Sequence, residues 1–284
     1  MSGQIVPEGD YHGVWQLRDK TSGRELIHPK YSALNLFRLF AVHQGMGQPR
    51  KMPRSVTFNG NSVIIQWAAT NEHQGEITAS YEVTGPATID LTVTVRVRGT
   101  YAGYELFLSN YFDPSFKPFV YLKKNRYGNS SEGQDRVCPM VNDVFRGTVL
   151  VFARDAHASR RCIDGRWNRS EWGAPTVQMC PVRHYAVPVA YLEDMEHARA
   201  IVLMSRISHC TSISTRYYAE NEADRMTPYS AFDFSLFGQD VVPDQEICAH
   251  IRMALVSLNQ QKDMPLLAYD AFTKTSDHGE EKRE

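Results

Sequence analysis

Hydrophobic and polar positions alternate in short runs along most of the chain. The clearest run extends from Ile89 to Arg98, where every second residue is apolar. Alternation with a period of two places one face of a strand in a core and the other in water. About a dozen such runs are separated by turn residues, such as the Asn-Gly pair after Phe58, and not by helices. The pattern predicts antiparallel sheets packed face to face.

Helical periodicity is scarce along the chain. Ser32 to Phe40 is the most helix-like stretch, and Leu266 to Thr273, just after Pro265, comes second. No internal repeat or low-complexity linker divides the sequence, so residues 1–273 are predicted to form one domain. Residues 274–284 contain no apolar residue to bury, and we expect a disordered tail there.

Composition and charge exclude several classes of partner. Hydrophobic residues make up 42% of the chain and aromatic residues 11%, which is typical of a globular protein rich in pleated, half-buried surface. Thirty-one Lys and Arg against 32 Asp and Glu give a formal net charge of −1, so no global charge favours nucleic acid or an anionic membrane. The first residues have neither a basic end nor an apolar run, which favours a cytoplasmic protein.

Cysteine spacing and short motifs give no sign of a metal or a cofactor. The five cysteines are an odd number, widely spaced and without a Cys-x-x-Cys pair. His184 and His209 lie in the same region as Cys180 and Cys210, but no recognisable ligand motif joins them. The sequence also lacks a Walker loop, a dinucleotide fingerprint, a Gly-x-Ser-x-Gly elbow and a His-Glu-x-x-His motif. We therefore expect neither a cofactor nor a bound metal.

The segment from Tyr104 to Phe116 and the elements before it resemble the galactose mutarotases, or aldose 1-epimerases. From Ser55 onwards, short strands, an Asn-Gly turn and a long alternating strand follow in the family's order, and Leu108-Ser-Asn-Tyr-Phe-Asp stands where the family has "LTNHSYFNL". Phe232-Asp-Phe-Ser-Leu-Phe is similar, more loosely, to the family's last acidic strand. The resemblance implies an all-β fold, a large antiparallel β-supersandwich of the galactose mutarotase-like type, and a small-molecule sugar or oligosaccharide as partner.

The same resemblance indicates candidate catalytic residues. Interconversion of sugar anomers needs a base at the anomeric hydroxyl and an acid at the ring oxygen. Ser109 stands where the family has its proton-donating His, which is a departure from the family's chemistry, and Asp233 is the nearest match to the family's Glu base. His43, in His43-Gln-Gly-Met-Gly, resembles an earlier family His in a Gly-rich stretch. Together with His184, which precedes a strand, His43 and Asp233 are the expected catalytic residues.

Substrate-binding candidates come from polar loops and from the resembling segment. Trp167 and Trp172 lie five residues apart in a polar loop and are suited to stacking on a pyranose ring, although loop aromatics also fold back over cores. Arg50 and Arg216 have donors that suit sugar hydroxyls, but each also fits a structural role. Tyr111 and Phe112 are expected to pack beneath the site. The full set is Arg50, Asn110, Asp113, Trp167, Arg169, Glu171, Trp172 and Arg216.

Three functions remain open at this point. The first is a sugar epimerase or another carbohydrate-active enzyme with an altered acid/base pair, in which His43, Asp233 and at least one of His184 or Glu171 meet in one cleft. The second is a non-catalytic carbohydrate-binding module. The third is a structural or assembly protein with a β face at an oligomer interface. The sequence specifies neither the sugar nor the oligomeric state.

Overall fold

The computed structural model describes residues 1–124, 133–139, 148–162, 177–216, 229–258 and 263–280. Strands dominate these residues, together with two α-helices: α1 (Ala156–Cys162), near the middle of the chain, and α2 (Met264–Glu280), near its end. The strands, numbered along the chain, are β1 (Ser2–Val6), β2 (Gly13–Arg18), β3 (Asn35–Ala41), β4 (Gln44–Gly45), β5 (Ser55–Asn59), β6 (Ser62–Trp67), β7 (Gly75–Gly85), β8 (Thr88–Val97), β9 (Tyr101–Ser109), β10 (Tyr111–Phe112), β11 (Lys117–Lys123), β12 (Gln134–Val137), β13 (Thr148–Ala153), β14 (Val177–Met179), β15 (Tyr185–Asp194), β16 (Arg199–Ser205), β17 (Cys210–Arg216), β18 (Ser230–Val241) and β19 (Glu246–Ser257).

Two large sheets form the body of the fold. The eight-stranded sheet has the order β14-β13-β17-β18-β9-β3-β4, with β10 paired to β18, and the nine-stranded sheet has the order β12-β11-β15-β16-β19-β8-β7-β6-β5. Every strand pair in them is antiparallel except β13–β14. The predicted all-β fold with antiparallel sheets packed face to face is therefore confirmed.

The main core lies between these two sheets. The alternating strand predicted at Ile89–Arg98 is β8, whose Leu91, Val93 and Val95 are fully buried. They belong to the same apolar cluster as Leu106 and Leu108 of β9 in the other sheet. The period-two pattern thus identified the buried face of this strand correctly.

The stretch Ser32–Phe40, which the sequence presented as helix-like, forms β3 instead. Leu36 and Leu39 face the main core, whereas Phe40 packs with Phe107 of β9 in a separate cluster on the other side of the sheet. A strand buried on both faces reads as a nearly continuous apolar run, which periodicity alone does not distinguish from a buried helix.

The C-terminal helix α2 covers the outer face of the nine-stranded sheet. Tyr269 and Phe272 pack with Tyr191 of β15 and Ala254 of β19. The helix is assigned as far as Glu280, past residue 274, where the sequence predicted the start of a disordered tail. Once packing has nucleated a helix, each further residue adds a hydrogen bond, so the helix extends into polar sequence. No helix among the described residues combines the length and the apolar character needed to cross a membrane.

Candidate functional site

Polar side chains line the outer face of the eight-stranded sheet, away from the main core. Phe234 pairs with Leu108 and Ile213, and all three face the core. The neighbouring register position therefore brings Ser109 of β9, Asp233 of β18 and Ser214 of β17 together on the opposite face, because side chains alternate along each strand. A buried row of polar groups on a sheet is unusual and marks this face as a candidate site.

Asp233 is the central residue of this row, and the residue is only 4% exposed. Its Oδ1 accepts a hydrogen bond from the backbone N–H of Asn110 at 3.0 Å. Burial raises the pKa of Asp233 to about 7, although the nearby Arg216 and the Asn110 N–H act in the opposite direction. A carboxyl group that titrates near neutral pH can both donate and accept a proton under physiological conditions.

Arg216, at the end of β17, is the cation beside this carboxyl group. Its guanidinium donates to the hydroxyl of Tyr229 at a long 3.4 Å, and its Nε is buried without a hydrogen-bond partner among the described residues. Tyr229 and Asp233 hold the pKa of Arg216 above its ordinary value in spite of burial. The guanidinium therefore stays charged with part of its donor capacity unused.

Two buried hydroxyls add to this unused capacity. The Oγ atoms of Ser109 and Ser214 are buried, and neither has a hydrogen-bond partner in the described part of the chain. An unpartnered buried hydroxyl costs on the order of 1–3 kcal/mol, so native proteins pair such groups unless they serve a purpose. Both serines lie next to Asp233, so the free-energy cost of both unpaired hydroxyls falls on one small patch of the sheet.

Aromatic side chains close one end of the polar row. Tyr111 makes an edge contact with Tyr229 at 4.8 Å between ring centroids and lies 5.0 Å from Tyr31. His28 stacks on Tyr31 at 4.9 Å and meets Tyr229 edge-on at 6.1 Å. We call the set of Ser109, Ser214, Asp233, Arg216, Tyr31, Tyr111 and Tyr229 the Asp233 site.

Two further arginines lie beside the aromatic residues. Arg50 lies over the ring of Phe37 at 3.9 Å and over Tyr11 at 5.6 Å. Arg38 of β3 lies over the same Phe37 ring at 5.4 Å. Burial and the charge of Arg50 lower the pKa of Arg38 to about 10, while Tyr111 acts against this change. Positive charge thus accumulates around this end of the sheet.

Several predicted site residues meet at or beside the Asp233 site. Asp233 and Arg216 belong to it, and Arg50 lies next to its aromatic end. Asn110 adjoins Asp233, but its buried side chain serves the backbone: Oδ1 accepts from the N–H of Leu34 at 2.8 Å, and Nδ2 donates to the carbonyl of Phe232 at 3.0 Å. Within this structure the Asn110 amide fixes the strand ends around the site.

Other predicted residues lie elsewhere. His43 occupies the exposed turn between β3 and β4 with φ of 57°. Asn35 of β3 lies opposite Ser109 of β9, and Ser109 lies beside Asp233. Eight residues of strand and turn separate Asn35 from His43, so His43 lies roughly 20 Å or more along the sheet from Asp233. The expectation that His43 and Asp233 meet in one cleft is therefore wrong. The cause is the strand conformation of β3, which moves His43 to the far end of the sheet.

His184 and Asp113 have partners away from Asp233. The Nε2 atom of His184 is 3.4 Å from Oγ of Ser159 in α1, and burial lowers its pKa. Asp113 Oδ1 accepts from the backbone N–H of Ser115 at 2.9 Å and pairs with Arg24 at 3.5 Å, which orders a turn. The predicted residues Trp167, Arg169, Glu171 and Trp172 lie outside the described residues.

The sequence analysis missed the contributions of His28, Tyr31 and Tyr229 and expected Tyr111 to pack beneath the site. A signal for two of them was present: His28-Pro-Lys-Tyr31 places aromatic rings in a polar, Pro-bearing loop, as the Trp167 loop does. Tyr229 gave no such signal, because only the pairing of β17 with β18 brings it to Arg216.

One group of potential metal ligands occurs among the described residues, on the turn between β15 and β16. Ligand atoms of Asp194, Glu196 and His197 lie within 4.8 Å of one another. The Asp194 carboxylate, however, already accepts from His197 Nδ1 at 2.8 Å and from the backbone N–H of Glu196 at 3.1 Å. These bonds are those of a carboxylate that closes a turn.

Comparisons with known proteins identify the fold. No family model and no curated protein sequence matches the chain. Among solved structures, the GalM/aldose epimerase homologue from C. elegans matches with a TM-score of 0.50 and 11% identity over 90% of this chain and 96% of that one. A putative aldose 1-epimerase from Escherichia coli K12 gives 0.48 and 10% identity over 90% and 99%. The α-N-acetylgalactosaminidase NagBb from Bifidobacterium bifidum gives 0.49 and 9% identity over 97% of this chain and 39% of that one. At these identities the likeness concerns the fold.

Proposed function

We propose that this chain is a carbohydrate-recognising protein that binds a sugar at the Asp233 site. The observation that carries the proposal is the group of buried donors without partners, Ser109 Oγ, Ser214 Oγ and Arg216 Nε, arranged around one carboxyl group next to tyrosine rings. Sugar hydroxyls supply both donors and acceptors, and the apolar faces of a pyranose stack on aromatic rings. The fold is shared with a protein described as an aldose epimerase homologue, which supports a carbohydrate ligand.

We further propose that Asp233 transfers the proton if the protein interconverts anomers. Ring opening requires one group to remove the proton from the anomeric hydroxyl and another to protonate the ring oxygen. With a pKa of about 7, Asp233 suits the first task. The imidazole of His28, which packs on Tyr31 and Tyr229, is the candidate for the second; it would donate the proton as the imidazolium, and formation of that ion displaces the Lys30 N–H from Nδ1.

Direct measurement of anomer exchange tests this activity. Saturation-transfer NMR on glucose, galactose and N-acetylgalactosamine would report a rate above the uncatalysed one. Asp233→Asn should remove that acceleration by at least about 100-fold, since general acid–base groups contribute that much. Asp113→Asn is the matched control, because Asp113 orders a turn through Ser115 and Arg24 and should leave the rate unchanged. Loss of rate in the control alone would place the chemistry elsewhere.

A non-catalytic sugar-binding module is the second candidate. It is favoured by Ser109, which stands beside Asp233 where the resembling family has its proton-donating His. A serine hydroxyl is a poor proton donor near neutral pH. Sugar binding in a thermal-shift assay without any acceleration of anomer exchange would establish this function, and Tyr31→Ala should then weaken binding about tenfold through lost stacking. Absence of a thermal shift with every sugar tested would contradict both candidates.

A further inference from the structure

We propose that the sugar bound at the Asp233 site carries an anionic group, a carboxylate, sulfate or phosphate, and that Arg216 is its principal partner. This inference rests on the proposed function and names the class of ligand. It follows from the arrangement of positive charge on the outer face of the eight-stranded sheet.

Arg216 and Arg50 lack the carboxylate partners that many arginines elsewhere in the fold have. Six arginines on other surfaces form ion pairs: Arg18 with Glu25, Arg98 with Glu76, Arg136 with Glu193, Arg183 with Asp135, Arg199 with Asp19 and Arg252 with Asp90. Neither Arg216 nor Arg50 forms an ion pair with any carboxylate of the described residues. Arg216 is limited to one long hydrogen bond to Tyr229, and Arg50 donates to the neutral amide oxygen of Gln48.

A chain of aromatic contacts links Arg216 to Arg50. Tyr229, which accepts from Arg216, lies 4.8 Å from Tyr111, and Tyr111 lies 5.9 Å from Tyr11, whose ring Arg50 faces at 5.6 Å. Arg50 is close enough to Arg38 to disfavour the charge of Arg38. Like charges held this close in a partly buried region gain from an anion between them. A planar guanidinium also offers the paired donors that carboxylate, sulfate and phosphate accept.

The acidic residue of the site does not oppose such a ligand. With a pKa of about 7, Asp233 becomes increasingly protonated as the pH falls below 7, and in that state it presents a hydroxyl donor instead of a negative charge. The hydroxyls of Ser109 and Ser214 flank it and complete a row of donors. A row of donors beside a guanidinium is complementary to the oxygen atoms of an anionic sugar.

Matched pairs of sugars test the inference by isothermal titration calorimetry on the full chain. The pairs are galactose with galacturonate, glucose with glucuronate, glucose with glucose 6-phosphate and glucose with glucose 6-sulfate, with inorganic phosphate alone as a further ligand. We expect at least one charged sugar to bind ten times or more tighter than its neutral partner, with an affinity that falls as salt rises. The arm that shows the preference identifies the anionic group.

Substitutions test whether Arg216 causes the preference for the charged sugar. Arg216→Gln should weaken binding of the charged sugar by about 10- to 100-fold and leave the neutral sugar within threefold, while Arg216→Lys should retain part of the preference. Arg98→Gln removes the same charge from an exposed ion pair on the other sheet and should change nothing. If Arg216→Gln does not fold, Arg50→Gln serves in its place, with a smaller loss of about fivefold expected.

Three results would overturn the inference. Equal affinity for charged and neutral members of every pair would refute it and leave the proposed sugar-binding function standing. Phosphate alone binding as tightly as glucose 6-phosphate would show an anion site without sugar recognition. Failure of every sugar to bind would remove both the inference and the proposed function.

Discussion

The backbone N–H of Asn110 donates a hydrogen bond to Oδ1 of Asp233, with 3.0 Å between donor and acceptor. It is the one hydrogen bond that the described residues make to this carboxyl group. An ionised carboxylate can accept about four, so a single donor does not replace the water that burial removes. The imbalance accounts for the pKa of about 7.

Asp233 should make the protein less stable as the pH rises. Its folded pKa of about 7 lies above the ordinary value of 3.8. Between these values the folded protein holds a proton that the unfolded chain has lost, so the free energy of unfolding falls with increasing pH across this window, by a total on the order of 4 kcal/mol. Urea denaturation of the protein and of Asp233→Asn from pH 4 to 8 isolates this contribution, because buried His12 and His73, whose pKa values burial lowers to about 3 and about 4, add an opposite slope to both proteins. The stability difference between the protein and the variant should fall with increasing pH, and a constant difference would assign the dependence to other groups.

We expect the Asn110 side chain to contribute more to the stability of the fold than to ligand binding. Asn110→Ala leaves the N–H of Leu34 and the carbonyl of Phe232 without their partners in a buried place, which should lower the free energy of unfolding by about 3 kcal/mol. Asn61→Ala is the control, because Asn61 makes a similar bond to the Val83 carbonyl at an exposed turn and should cost less than about 1 kcal/mol. Equal costs in urea denaturation would contradict this assignment.

Asp19 should stabilise the fold above acidic pH. Its buried carboxylate accepts hydrogen bonds from Arg199 and from the backbone N–H of Thr21, and these bonds hold the pKa of Asp19 below its ordinary value although burial acts to raise it. The stabilisation is present above the unfolded pKa near 3.8 and is lost as the pH falls towards the lower folded value. Asp19→Asn should cost about 3 kcal/mol at pH 7 in thermal unfolding, because it leaves Arg199 without its partner.

An exposed pair provides the comparison for Asp19. Glu25→Gln breaks the ion pair with Arg18, in which both side chains are about half exposed, and should cost less than about 1 kcal/mol. If the two variants lose the same stability, the burial of the Asp19 pair has no special effect.

Cys180 is predicted to be the most reactive thiol among the described cysteines. A hydrogen bond from Cys162, in the cluster that packs α1 on β13, lowers the pKa of Cys180 to about 7, while burial raises the pKa of Cys138. Since the thiolate is the nucleophile, iodoacetamide at pH 7 should label Cys180 at least about ten times faster than Cys138 by peptide mass spectrometry. Cys162→Ala should return the midpoint of the Cys180 rate towards pH 9, and an unchanged midpoint would exclude this hydrogen bond as the cause.

The sequence by itself determined the fold class and most of the strands. Alternation over Ile89–Arg98 identified a strand with one face in the core. Successive side chains of a strand point to opposite faces, so apolar residues alternate with polar ones where one face meets the core and the other meets water. The order of elements around Leu108 and Phe232 indicated the family of folds. In both cases local pattern was sufficient, since the information lies within a dozen neighbouring residues.

Only the tertiary structure decided which residues form the site. Asp233, Ser109 and Arg216 are joined by the registers of β9, β18 and β17, and Tyr31 reaches them from a loop 80 residues before Tyr111 in the chain. His43 was misplaced because β3, buried on both faces, carried no alternation to reveal it as a strand. The register between strands depends on packing between segments that are distant in the chain, so it cannot be predicted from a short stretch of sequence.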